Sequence, residues 1–71
     1  MKKTVKVIRG FLSRAVVKGE RAFICCDDGV HYLTSKVVDV RNDNATGIEI
    51  ETLNTIYKVT YIPDDELVEA V

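Results

Sequence analysis

Apolar and polar residues alternate along much of the chain with a period of two, which places successive side chains on opposite faces of a strand. The alternation is clear at the start of 4–9 (TVKVIR), which Gly10 follows, and again in 48–52 (IEIET). In 21–26 (RAFICC) both parities are apolar, which is typical of a strand inside a sheet. The pattern predicts a β domain in which Gly10 ends the first strand and 21–26 is a central strand.

The stretch after the first strand has no single period. Leu12, Ala15 and Val16 have the spacing of one helix face, but the two valines that precede Gly19 also fit a loop that returns through a short strand. We expect residues 11–18 to form a loop.

The dipeptide Asp28-Gly29 stands between two runs of strand-forming residues. It is typical of a two-residue type I′ hairpin turn, because both residues accept positive φ. This register sets Cys26 opposite His31, so that one thiol and one imidazole share a face of the hairpin.

The run 30–40 is long for one strand, and its apolar residues change parity along it. The change lies between His31-Leu33, at odd positions, and Val38-Val40, at even positions. A change of parity indicates a bulge or bend, which we place near Thr34 and Ser35. A strand that bends there can contribute to both halves of a small barrel.

A second hairpin follows from the matching of side chains. An even-numbered loop keeps apolar residues opposite each other, whereas a three-residue loop sets Ile50 against Lys58. We expect a four-residue loop at 53–56, because a two-residue loop would ask a β-branched threonine to accept positive φ. This register pairs Ile50 with Val59 and Glu51 with Lys58.

Two segments complete the secondary-structure prediction. Residues 42–47 (NDNATG) are dense in turn formers and predict a polar loop. Pro63 followed by acidic residues at 64–66 predicts the first turn of a short C-terminal helix, since proline and carboxylates both suit that end. The apolar stripe of this helix would contain Leu67, Val68 and Val71.

The predicted elements together indicate the fold class. Five short antiparallel strands, a long first loop and a short C-terminal helix within 71 residues predict an all-β, small five-stranded antiparallel SH3-like barrel. Residues 1–71 would form a single domain, since this length leaves no room for a second core. An OB-like barrel is the alternative.

Charge is unevenly distributed along the chain. Residues 1–21 contain seven basic residues and one acidic residue, so this third carries +6 and the remainder −7. A basic third makes nucleic-acid binding possible through phosphate contacts, although its cations could equally pair with acidic neighbours in a closed β domain. Lys6 and Arg9 interrupt the only candidate export signal, and no apolar run is long enough to span a bilayer. We expect a cytoplasmic protein with reduced thiols and no membrane contact.

Two cysteines and one histidine supply the candidate metal or redox chemistry. A structural zinc site requires four ligands, whereas Cys25 and Cys26 are adjacent and point to opposite faces of a strand. We therefore expect no metal and no cofactor. The alternative is a metal- or redox-dependent protein that uses Cys25, Cys26 and His31, with Cys26 and His31 as a half-site.

Two short motifs resemble a pattern in known proteins. Thr34-Ser35-x-Val37, followed by Glu51-Thr52-x-Asn54-x-x-Tyr57, is similar to small uncharacterised bacterial proteins with an SH3-like barrel that phages and mobile elements carry. The resemblance covers residues 34–59. It implies a small β-barrel and no particular activity.

These observations predict a non-enzymatic small binding module. No Ser-His-acid set with a recognisable nucleophile elbow is present, and a single histidine leaves little acid–base machinery. Loops and hairpin tips would contact a protein, which is the expected partner, or a nucleic acid. The predicted contact residues are Arg14, Lys18, Tyr32, Leu53, Ile56 and Tyr57.

The hairpin tip also bears on association. Leu53 and Ile56 would lie there as exposed apolar residues, and Val37 would join the same surface if the chain bends near Ser35. We therefore expect a monomer or a weak homodimer.

Overall fold

A computed structural model describes residues 2–62, which form an all-β fold with six strands in one sheet. The strands are β1 (Thr4–Leu12), β2 (Arg21–Cys26), β3 (His31–Lys36), β4 (Asp39–Asn44), β5 (Gly47–Glu51) and β6 (Thr55–Tyr61). Their order across the sheet is β3-β2-β1-β6-β5-β4. The predicted all-β class is confirmed, and the predicted helix at 63–71 lies outside the described residues.

The sheet differs from the predicted barrel in strand number and in direction. It is an open six-stranded sheet, and β1 pairs with β6 in parallel while every other neighbouring pair is antiparallel. The reason lies in the run 30–40, which divides into β3 and β4 without reversing direction. The chain therefore changes direction only four times between β1 and β6, so the last strand runs the same way as the first.

Residues 37 and 38 alone connect the two edge strands of this sheet. Five interstrand spacings in a flat sheet would separate β3 from β4 by about 24 Å, whereas the three Cα–Cα steps from Lys36 to Asp39 span at most roughly 11 Å. The sheet must therefore roll so that its edges approach at this point. Val37 N donates to Glu20 O (2.9 Å) beside β2, and Val38 N donates to Glu51 O (2.8 Å) in β5. Val37 is buried, so the expectation that it joins an exposed apolar surface is wrong.

The bulge predicted near Thr34 and Ser35 is confirmed. These two residues of β3 lie opposite a single residue of β2, Ala22. The hydroxyl of Thr34 accepts the N–H of Ala22 (2.9 Å) and donates to the carbonyl of Ser35 (2.7 Å). A buried side chain thus replaces the ladder bond that the extra residue removes.

The first hairpin forms at the predicted place with a register that differs by one residue. Cys25, and not Cys26, lies opposite His31. Gly29 N donates to Cys26 O (3.1 Å), and Cys26 N donates to Val30 O (2.8 Å), which closes a three-residue loop. Only the glycine in this loop has positive φ (88°), as in a type I turn followed by a left-handed residue, whereas a type I′ turn needs two such residues.

The second hairpin keeps the predicted parity with a shorter loop. The predicted pairs Ile50–Val59 and Glu51–Lys58 are wrong by two residues. Ile50 lies opposite Tyr57 and Glu49 opposite Lys58, so apolar still meets apolar and acid still meets base. The loop is 53–54 and not the expected 53–56, because Thr52 N donates to Thr55 O (2.8 Å). Neither loop residue has positive φ, so the objection to a two-residue loop does not apply.

β1 does not end at Gly10, as the sequence predicts, but continues past it. The pairing of β1 with β6 ends at Gly10, and its pairing with β2 begins there. A Cβ at this position would lie 1.9 Å from the backbone oxygen of Cys25, so only glycine lets the strands approach this closely. Residues 13–20 form no strand or helix, which confirms the predicted loop except at its first two residues.

The core occupies the concave side of the rolled sheet. Its buried members are Ile8, Ala22, Ile24, Val37, Ile48, Ile50 and Val59. They come from β1, β2, β5, β6 and the link between β3 and β4, so the burial of their apolar surface holds both halves of the sheet together.

Candidate binding surface

The convex side of β1, β2 and β3 carries a group of apolar and aromatic residues. Phe11, Cys25 and His31 form one row across the three strands, and Phe23 lies opposite Leu33 in the next row. We call these five residues the outer face. Since side chains alternate along a strand, the residues between them point into the core.

The outer face combines exposed apolar surface with a covered thiol. Phe11 is 45% exposed and Leu33 57% exposed. The rings of Phe23 and His31 meet edge to face, with centroids 5.3 Å apart, and Cys25 is buried. Side chains of this size and shape favour contact with another apolar surface.

β1 extends beyond the outer face, and in this part only one of its two edges is hydrogen-bonded to a neighbouring strand. Thr4 N donates to Asn54 O (3.0 Å), and Gly10 O accepts from Ile62 N (3.1 Å). Backbone groups of successive strand residues point to alternate sides, so the even-numbered residues of β1 direct theirs toward β6. The odd-numbered residues direct theirs to the opposite side.

That opposite side is uncovered over the first half of β1. β2 pairs with β1 only at 10–12, and the hairpin tip reaches one residue further, where Asp27 N donates to Arg9 O (2.9 Å). Within residues 2–62 no strand lies beside Val5 and Val7 on this side. Their side chains are also exposed, by 51% and 78%. We call this side of β1, from residue 4 to residue 8, the open edge.

Acidic residues of the second half of the sheet meet basic partners. Glu51 contacts both Lys3 and Arg41, with 3.0 Å between Arg41 Nη2 and Glu51 Oε1. Asp39 accepts from Arg41 Nε (3.2 Å) and lies 3.4 Å from Lys18 Nζ. The hydrogen bond from Arg41 is the main reason that the pKa of Asp39 lies below its usual value. Lys3 and Lys18 thus pair with acidic neighbours in the fold, which is the predicted alternative to nucleic-acid binding.

Three cations, in the first loop and on β2 and β3, have no acidic partner among the described residues. Arg14, Arg21 and Lys36 form no ion pair within residues 2–62, and Arg21 lies directly opposite Lys36 on β2 and β3. Like charges across a strand pair repel each other. The first half of the sheet therefore retains positive charge next to Phe23.

Two of the sequence-predicted contact residues come together in the interior. The rings of Tyr32 and Tyr57 are 6.5 Å apart, and both side chains pack partly buried against the core. Lys6 Nζ lies 5.0 Å from the centre of the Tyr32 ring, a cation–π contact at the rim of the core. These half-buried rings are only partly available to a partner.

The other four predicted contact residues are scattered. Arg14 is exposed in the first loop, whereas Lys18 is engaged with Asp39. Leu53 is 72% exposed at the second hairpin tip, as expected. Ile56 lies half-buried within β6 opposite Val5, and not in the loop. These residues do not form one surface.

The cysteines do not share one face with the histidine: Cys25 lies opposite His31 on the outer face, and Cys26 lies on the other face. Cys26 packs against the core, whereas His31 lies on the outer face. Burial is the main cause that raises the pKa of Cys26, and the negative charges of Asp28 and Asp27 raise it further. No group of three or more potential metal ligands occurs in the described part of the chain. A half-site of Cys26 and His31 does not form in this register.

A shallow groove at the β4–β5 hairpin is lined mainly by polar residues. Its amides are engaged locally: Asn44 Oδ1 accepts from Thr46 N (2.9 Å), and Asn42 Nδ2 donates to Glu49. Because these groups already have partners, the groove presents no converging set for a ligand.

Sequence reasoning missed Val5, Val7, Phe11 and Leu33 as surface residues. Hydrophobicity alone assigns these residues to a core. The signal that could identify them as exposed is that they alternate with the buried residues of the same strand. Within residues 2–62 no helix is long and apolar enough to cross a membrane. Comparisons with protein-family models, curated proteins and solved structures found no match, so the chain's own geometry is the basis for assigning its function.

Proposed function

We propose that this chain is a non-enzymatic binding module that binds a protein partner on its outer face. The observation that carries the proposal is the apolar surface of Phe11 and Leu33, which lies on the convex side of a sheet that is already packed on its other side. Exposed aromatic and aliphatic side chains grouped in this way favour a protein interface.

A nucleic acid is the competing partner. Arg21 and Lys36 leave two cations beside Phe23, a combination that could hold a phosphate next to a stacked base. The outer face nevertheless contains an aliphatic residue and a covered thiol, and the neighbouring open edge contributes two valines. Apolar surface of this kind supports a protein partner better than a polyanion.

We also propose that the rolled sheet is a variant of the predicted SH3-like barrel. β3 and β4 follow each other through 37–38 in the same direction, so together they correspond to one bent strand of a five-stranded arrangement. The free thiols of Cys25 and Cys26 fit the reducing cytoplasm that the sequence predicts.

The test compares two double variants by quantitative affinity enrichment. Phe11→Ser with Leu33→Ser alters the outer face, and Val17→Ser with Val38→Ser alters two similarly exposed valines elsewhere. We expect a protein that the wild type and the second variant retain equally and the first variant retains at least tenfold less. Circular dichroism must show that both variants remain folded.

Two results would contradict this proposal. One is a partner whose retention the outer-face variant does not change; loss on Leu53→Asp instead would return the site to the hairpin tip predicted from sequence. The other is salt-dependent binding of a fifteen-nucleotide oligothymidylate that Arg21→Ser with Lys36→Ser abolishes, which would identify a nucleic-acid module.

A further inference from the structure

We infer that the open edge of β1 binds an extended acidic segment of the partner protein as an additional strand. This inference rests on the proposed function and specifies the chemistry of the partner. Val5 and Val7 direct their backbone N–H and C=O groups to a side where residues 2–62 supply no strand. Unpaired strand edges of this kind accept a further strand through main-chain hydrogen bonds.

The side chains along the open edge specify the pattern of the incoming segment. A strand beside β1 places alternate side chains next to those of Val5 and Val7, where apolar residues would cover exposed methyl groups. Between them it places one side chain on the opposite face, next to the exposed Lys6. A carboxylate there would pair with the ammonium group. The expected motif is therefore apolar–acidic–apolar.

Charge also distinguishes this partner from a second copy of the chain. In an antiparallel pair of two β1 edges, Val5 would face Val7 of the other copy, and Lys6 would face the same lysine. The two Lys6 ammonium groups would then lie directly opposite each other, so the two edges would repel. Lysines on a strand edge are a known protection against self-pairing. The same charge attracts an acidic strand.

Amide hydrogen exchange of the intact protein tests the edge directly. In the free chain Lys6 and Ile8 should be protected, because their N–H groups face β6, whereas Val5 and Val7 should exchange rapidly. The probe is the blocked peptide Gly-Thr-Val-Glu-Val-Thr-Gly. At saturation it should slow exchange at Val5 and Val7 at least tenfold.

A charge exchange tests the predicted pairing. The same peptide with lysine in place of glutamate should bind about fivefold more weakly at low salt, the upper range for a cross-strand charge pair. The Lys6→Glu variant should reverse this preference. The Lys36→Glu variant, which alters an exposed cation on β3, should leave it unchanged.

A backbone variant separates hydrogen bonding from side-chain contact. Val7→Pro removes an N–H that faces the open edge and should abolish peptide binding, while Val7→Thr retains that N–H and should preserve most of it. If Val7→Pro does not fold, the reversal by Lys6→Glu decides the question alone.

Several results would overturn the inference. Equal binding of both peptides, no binding of either, or protection of Val5 and Val7 in the free chain would each exclude acidic strand addition. Protection that grows with protein concentration would identify a second copy as the occupant. If partner retention depends on Phe11 and Leu33 but survives Val7→Pro and Lys6→Glu, the inference fails while the proposed function stands.

Discussion

Replacement of Thr34 by valine should destabilise the protein through one unsatisfied backbone donor. Thr34 is 2% exposed, and its hydroxyl is the acceptor for the N–H of Ala22 (2.9 Å) at the bulge. Valine has nearly the same shape, so packing changes little while this donor loses its partner. A buried unsatisfied N–H costs about 1–3 kcal/mol, and the methyl group that valine adds offsets somewhat less than 1 kcal/mol. We expect a net loss of about 1–2 kcal/mol.

Thr52 provides a matched control. It is also 2% exposed, and its hydroxyl donates to Thr55 O (3.1 Å). That carbonyl already accepts from Thr52 N (2.8 Å), so Thr52→Val leaves no backbone group without a partner. The same substitution at the same burial should therefore cost less than about 1 kcal/mol.

Urea unfolding followed by far-ultraviolet circular dichroism measures both variants. A domain of this size has a stability of roughly 3–5 kcal/mol and an m-value near 1 kcal/mol per molar urea. The midpoint of Thr34→Val should therefore fall by about 1–2 M, and that of Thr52→Val by less than about 1 M. Equal midpoints for the two variants would refute the assignment of the Thr34 hydroxyl as the only partner of Ala22 N–H.

Three further predictions concern backbone space, pH and thiol reactivity. Gly10→Ala should abolish cooperative unfolding in circular dichroism, because its Cβ would lie 1.9 Å from a backbone oxygen, whereas Gly29→Ala, with positive φ and open space, should lose only about 1–2 kcal/mol. Asp39 has a lowered pKa, so its stabilising effect is present above the usual carboxyl pKa near 4 and is lost as pH falls through the lowered value; the melting temperatures of wild type and Asp39→Asn should differ at about pH 6 and converge near pH 2. The raised pKa of Cys26 should make its alkylation by iodoacetamide at about pH 8 several-fold slower than that of glutathione, and Asp28→Asn should accelerate it; mass spectrometry that finds Cys26 as fast as glutathione would contradict this.

Local features of the chain follow directly from the order of residues. Alternation identifies strands, and the two-sided apolar run 21–26 correctly indicates a strand with neighbours on both sides. The change of parity in 30–40 locates the bulge at Thr34 and Ser35, because an extra residue in one strand always shifts which side chains face inward. These features depend on side-chain period alone.

The register of the first hairpin depends on the core. Asp28-Gly29 fits a two-residue turn or the end of a three-residue loop, since both place glycine at positive φ. The three-residue loop sets Ile24 opposite Tyr32, and both then pack toward the core together with Leu12 of β1. The dipeptide cannot distinguish these loops, because the distinction lies in which side chains the third strand must bury.

The sequence alone therefore determined that residues 2–62 are all-β, where most of their strands lie and where one of them bulges. Tertiary structure decided which face of β1 is buried. The order Val5-Lys6-Val7 would place both valines inside, but parallel pairing with β6 and the close contact of Gly10 with Cys25 turn the side of Ile8 toward the core. Lys6 lies on the same face of β1 as Ile8, so Val5 and Val7 point to the opposite, exposed face. The candidate surface exists because strands distant in sequence select this face, and a single strand contains no information about its neighbours.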